Sequence, residues 1–249
     1  MNVRRVLATA ALASVLPGYV HAQALPAAKD LVQAWAKAVN ADGWKGHKSA
    51  RSTAAFDMPA MGMSAKMELA QSFDPPMTVT KIDLPGMGEM RQGFDGTTSW
   101  SLNPMQGAQV LPEEMAAAQR EDGDPGNYSR LSPAIVSSET VEKTKLNDQD
   151  CYKVKHTWKS GRVSHDCFSV ADGMIVWSQT KTATPMGEME VVTTFGAYKD
   201  FGGVKRATTT TVEQAGQQFI ITLQGWEWDT VNVKEFELPP EVKALVKKP

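Results

Sequence analysis

Met63-Ser-Ala-Lys-Met-Glu-Leu-Ala-Gln-Ser-Phe73 decides the fold class. Its odd positions are Met63, Ala65, Met67, Leu69, Gln71 and Phe73, and its even positions are Ser64, Lys66, Glu68, Ala70 and Ser72. A period of two with one apolar and one wet face is the pattern of a half-buried β-strand. Working outward, segments near 46–57, 77–84, 88–94 and 98–103 read as further strands, punctuated by Pro75-Pro76, Pro85-Gly86 and Asp95-Gly96. Beyond them, strands near 139–147, 150–158, 162–170, 174–182, 188–199, 204–213 and 217–230 are separated by short turns. Short turns make neighbouring strands antiparallel. In the last strand Phe219, Ile221 and Leu223 are odd but Trp226 and Trp228 are even, so a β-bulge at Gly225 is expected to restore the register. About eleven or twelve strands in one meander exceed what a flat sheet holds, and the sheet must curl.

A curled antiparallel sheet has an apolar concave face that needs a cover. Two helical segments are available. Leu31, Trp35, Ala38 and Val39 make an apolar stripe in a helix over about 27–41, opened by Pro26 and stopped by Gly43. A shorter helix is expected near 112–121, followed by a polar loop, 121–133, of the long kind that is often functional. The fold class is therefore mainly β with few helices: a strongly curved antiparallel sheet, an incomplete barrel with helices over its opening.

Residues 1–22 read as a secretory signal peptide. Arg4 and Arg5 precede the apolar run 6–16, and Val20 and Ala22 occupy the −3 and −1 positions of a cleavage site. The mature chain, 23–249, is expected to be one soluble exported domain, periplasmic in a Gram-negative source. Outside the N-terminus no apolar run is long enough to span a bilayer. In an oxidising compartment Cys151 and Cys167 are expected to pair, the other reading being two free thiols in a packed sheet. Of the 249 residues, 22% are charged and the net charge is −2, so there is no basic excess to bind nucleic acid.

Catalytic patterns are missing. The sequence has no G-x-S-x-G, H-E-x-x-H, P-loop or G-x-G-x-x-G motif, and past residue 22 its only histidines are His47, His156 and His165. No enzyme activity and no cofactor are expected. Seven of the 13 methionines fall between 58 and 90. Thioethers are soft ligands suited to copper(I), but methionine is also a flexible lining for adaptable apolar surfaces, and the strand alternation favours lining. Seven tryptophans suit either core packing or a wide apolar cavity.

Specific motifs add a resemblance. Gly93-Phe-Asp-Gly-Thr-Thr-Ser-Trp-Ser-Leu-Asn-Pro104 resembles the D-G-K-T-x-W-x-x-N-P hairpin of the LolA/LolB-like superfamily of periplasmic lipoprotein carriers. Phe236-Glu-Leu-Pro-Pro240 resembles its F-x-x-P-P close, and 86–90, 104–107 and Tyr198–Val204 resemble its outer membrane lipoprotein-sorting branch. In one place the match stops: Phe73-Asp74-Pro75 stands where the carriers have a basic residue that latches the lid. The resemblance implies a half-barrel of about eleven strands under a helical lid, with a hydrophobic interior that receives the acyl chain of a lipid or lipoprotein. It also implies a membrane-associated donor or acceptor protein. Strand parity then nominates Met63, Met67, Leu69, Trp100, Phe195 and Trp226 as pocket lining, and Leu31, Trp35 and Val39 as the lid stripe. The competing reading is a periplasmic interaction module whose sheet is filled by its own side chains.

Overall fold

Strand alternation builds most of the molecule, 54% of it strand and 18% helix. The structure is a computed structural model that describes residues 24–246 except 147 and 185–186, with backbone alone at 182–184. The export signal and the turn residues Asn147, Pro185 and Met186 lie outside the described residues. Helix α1 (Ala28–Ala38) comes first, then β1 (Ser49–Met58), β2 (Met63–Phe73), β3 (Pro76–Leu84), β4 (Gly88–Phe94), β5 (Ser99–Asn103) and β6 (Gly107–Val110). Helices α2 (Glu113–Asp122) and α3 (Pro125–Tyr128) interrupt the strands. The second run is β7 (Ile135–Leu146), β8 (Gln149–Trp158), β9 (Val163–Ser169), β10 (Ile175–Thr184), β11 (Gly187–Phe195), β12 (Tyr198–Phe201), β13 (Val204–Ala207), β14 (Thr209–Gln214) and β15 (Gln217–Trp228). The short helix α4 (Pro240–Lys243) follows.

Thirteen strands form one antiparallel sheet that does not close, in the order β6-β5-β4-β3-β2-β1-β15-β14-β11-β10-β9-β8-β7. The expected count of about eleven is therefore low. β6 was not foreseen. The segments 188–199 and 204–213 each break in two, because past Phe195 and before Thr209 the chain leaves the main sheet as a separate hairpin, β12–β13. That hairpin folds over the concave side like a flap. Its Lys205 N–H donates to Val39 O at the end of α1 (3.1 Å), and Asn40 Nδ2 donates to Gly203 O.

The bulge lies beside Gly225. Thr53 pairs with Gly225 and Ala54 with Leu223, so β15 carries one extra residue there. A Cβ on Gly225 would sit 2.7 Å from Thr53 Oγ1, so any larger residue there would push the Thr53 hydroxyl aside. The extra residue puts Ile221, Leu223, Trp226 and Trp228 on one face.

Both faces of the sheet are buried, in different places. On the concave side α1 buries Ala28, Val32, Trp35 and Val39 against Val154, Phe168 and Ile175. Burying each large apolar side chain contributes about 1.5–3 kcal/mol. On the convex side the C-terminal segment lays Phe236 and Val242 over Ala70, Met77, Val79 and Trp100. The helix is shorter than the expected 27–41, because Asn40 turns into the left-handed region (φ 55°). Cys151 and Cys167 are joined as a disulfide across β8 and β9, with Cα atoms 5.5 Å apart.

Candidate functional site

Between the concave sheet and its cover lies a cavity of about 330 Å³. Its floor is the alternating face of the sheet: Ser52 and Ala54 on β1, Met67 and Leu69 on β2, and Ile221 and Leu223 on β15. The register explains the grouping, since Ser52 pairs with Leu69, and Ala54 pairs with both Met67 and Leu223. Trp35 of α1 is overhead, Ile175 and Phe195 close the far side, Tyr128 and Arg130 come from the α2–β7 connection, and Tyr198, Arg206 and Ala207 from the flap.

The wall's polar groups are mostly satisfied by protein. Trp35 Nε1 donates to Tyr128 O (3.0 Å), Tyr198 Oη donates to Ile175 O (2.7 Å), and Tyr128 Oη donates to Lys205 O. Burial pushes the Tyr128 hydroxyl up to about 12 and raises that of Tyr198 as well, so both are neutral donors at physiological pH.

Arg130 is tied from behind. Its Nε donates to Asp166 Oδ2 and its Nη2 to Asp166 Oδ1 (3.2 Å), while Nη1 donates to Asn127 O (2.7 Å). Asp166 also accepts from Ser178 Oγ, and His156 Nε2 lies 3.2 Å from its Oδ2. Burial alone would raise the Asp166 carboxyl. The charge of Arg130, its hydrogen bonds and the adjacent His156 override it and hold that carboxyl far below the usual range. His156 Nδ1 is 2.8 Å from Ser138 Oγ, which puts a serine, a histidine and an aspartate in line. This order resembles a nucleophilic triad, but the Asp166 carboxylate is already committed to a guanidinium, and the imidazole is fully enclosed. The cluster's evident role is to pin the 124–131 segment against the sheet.

Arg206 is held differently. Its guanidinium lies 4.4 Å from the ring centre of Trp226, 4.6 Å from Tyr128 and 5.6 Å from Trp44. Burial draws its pKa down, and no carboxylate among the described residues lies within ion-pair distance.

Of the nominated lining residues, Met67, Leu69 and Phe195 stand on the cavity wall, as does Trp35 of the lid stripe. Val39 is buried beneath α1, and Leu31 is half-buried at its flank. Met63 shares the face of Met67 but sits at the start of β2, outside the lining set. Trp226 is one shell away, in the aromatic cage around Arg206. Trp100 is placed on the opposite face: it pairs with Gly93, Gly93 with Val79, and Val79 with Ala70, all beneath the C-terminal segment. Parity says which residues share a face and not which face is concave. The methionines do not converge either. Met77 is on the convex side, and Met61, Met87 and Met105 are exposed. Among the described residues no group of three or more His, Cys, Asp or Glu is placed to hold a metal ion, and no helix is long and apolar enough to cross a membrane.

The lining residues that sequence reasoning did not nominate include Tyr128, Arg130, Ile175, Tyr198, Arg206 and the β15 pair Ile221 and Leu223. The length of the 121–133 loop was the signal for the first two. Tyr198 lies in a segment already picked out by its resemblance. Arg206 had no signal.

No protein-family model and no curated protein sequence matches the chain. Solved structures do. A DUF1329 family protein from Desulfovibrio piger superposes with a TM-score of 0.55 at 13% identity, covering 86% of this chain and 98% of that one. A LolA superfamily protein from Nitrosomonas europaea gives 0.55 at 11% identity, over 86% and 99% of the two chains. An outer membrane lipoprotein-sorting protein domain from Vibrio parahaemolyticus gives 0.54 at 13%, over 84% and 97%. At these identities the likeness speaks for the fold.

Proposed function

The chain has a LolA-like fold, and from that premise we propose that it is an exported, non-enzymatic carrier of lipid or lipoprotein acyl chains. One observation carries the reading: the curved sheet is not filled by its own side chains but holds a partly open cavity of about 330 Å³, walled by Met67, Leu69, Phe195, Ile221 and Leu223 among others. Each methylene withdrawn from water contributes about 0.8 kcal/mol, so a chain of ~16 carbons left in an aqueous compartment strands roughly 12 kcal/mol. An apolar space out of water is what relieves that cost. The same space counts against an interaction module with a self-filled sheet. A membrane-associated donor or acceptor would complete the route.

The reading also needs the signal at 1–22 to direct export and the remaining chain to act as one unit. Native mass spectrometry of protein isolated gently from the exported fraction, followed by lipid extraction, tests it. One acylated molecule per chain is the expected result. A clean apo mass with no uptake of added fatty acid or phospholipid would overturn it. Met67→Glu, placing a charge in the floor, is expected to abolish uptake while leaving the fold's circular dichroism unchanged.

A further inference from the structure

The cavity wall carries two cations and no acid. Arg130 is neutralised by Asp166 behind the wall. Arg206 has no such partner: its half-buried guanidinium makes no hydrogen bond and no ion pair to any described residue, and the rings of Trp226, Tyr128 and Trp44 flank it. Aromatic faces offset part of the cost of desolvating a guanidinium, but they supply no acceptor for its five N–H groups. The cage itself is rich in donors. Trp44 Nε1 and Trp226 Nε1 are both buried without a hydrogen-bond partner. Buried donors are almost always satisfied, and each exception calls for an explanation. Here two buried, unpaired indole N–H groups and a half-buried guanidinium with no ion-pair partner gather beside an apolar cavity.

An occupant with an anionic oxygen head and an apolar tail would satisfy both parts at once. We infer that Arg206 is the head-group site of this cavity, taking the carboxylate or phosphate oxygens of a single-chain anionic amphiphile whose tail lies along Met67, Leu69 and Leu223. The planar guanidinium suits either head, because both present two oxygens to its fork. A single chain follows from size: 330 Å³ is at the low end of the roughly 300–1,000 Å³ usual for ligand cavities. The inference rests on the carrier reading above and sharpens it, since an uncharged tail of the same length would fill the cavity yet leave the cage unsatisfied.

The test is displacement of the neutral fluorophore N-phenyl-1-naphthylamine from the purified protein by hexadecanoate, hexadecyl phosphate and hexadecan-1-ol, each below its aggregation limit. Wild-type protein is expected to bind at least one anion about ten- to a hundredfold more tightly than the alcohol, the range for hydrogen bonds to a charged group. Which anion wins tells a fatty-acid head from a phosphate head. Arg206→Met is expected to erase the preference and leave alcohol affinity within about threefold, while Arg206→Lys keeps part of it. Equal binding of acid and alcohol by wild type would overturn the head-group assignment and leave the carrier reading standing. A preference that survives in Arg206→Met would also overturn it. If neither probe nor amphiphile binds, both readings fall together. Should Arg206→Met not fold, the wild-type comparison of acid with alcohol decides alone.

Discussion

Replacing Asp166 by Asn is the sharpest test of how the cavity is held. The side chain is 1% exposed, it takes two hydrogen bonds from Arg130 and one from Ser178, and its neighbour His156 is fully buried. Asparagine keeps the shape and removes the charge, so the Arg130 guanidinium is left inside without its counter-ion. Removing one partner of a buried pair costs about 3–5 kcal/mol. For a chain of this length each kcal/mol lowers Tm by about 2–4 °C, so a fall of roughly 6–20 °C is expected. The assay is thermal and urea unfolding across pH. Asp166 has a folded pKa far below its unfolded value of about 3.9, so its contribution is complete above that value and is lost progressively as pH falls below it. The difference between wild type and Asp166→Asn should therefore be largest near neutrality and shrink as the pH drops below about 4. The double variant Arg130→Met/Asp166→Leu should recover much of the loss, since a packed apolar pair can replace a buried ion pair. A loss below about 1 kcal/mol in Asp166→Asn, or a double variant no better than the single one, would refute the reasoning.

Three other outcomes follow from the same geometry. Trp100→Ala should cost about 3–5 kcal/mol in urea unfolding yet leave ligand affinity unchanged, because the ring packs on the convex face under Phe236. Gly93→Ala should destabilise by about 1–3 kcal/mol, since its Cβ would meet the Trp100 ring at 2.7 Å and Thr78 O at 2.8 Å. Removing the disulfide with Cys151→Ser/Cys167→Ser should lower stability by about 2–4 kcal/mol, read as a drop in urea midpoint, with no change in ligand uptake, since neither cysteine lines the cavity.

The alternation of Met63–Phe73 was enough to read the curved sheet and to place Met67 and Leu69 together, because a half-buried strand must segregate its faces. The displaced parity at Trp226 was enough to locate the bulge. Trp100 was misplaced for a physical reason. β5 alternates as cleanly as β2, but its apolar face turns outward, beneath a C-terminal segment that is more than 130 residues away in sequence. Nothing local reports such a cover. Arg130 and Asp166 are likewise far apart in sequence, and each looks like an ordinary surface residue until the loop is folded back. Arg206 stands in KRATTT, where strand alternation gives it no mark. It reaches the cavity only because the chain leaves the main sheet between Phe195 and Thr209.

The strand order has one more consequence. β1 lies between β2 and β15, so the earliest strand of the chain is stitched to the last. The wing β2–β6 and the wing β7–β14 can each assemble from neighbouring hairpins, but their union waits for residues 217–228. Pairings of such long separation are slow to form, because the intervening chain must be ordered before they reward it. During synthesis the two wings are therefore expected to stand as separate half-sheets, with the cavity completed last. A chain ending at residue 216 would lose more than one strand: with the seam missing, there would be two meanders and no vessel.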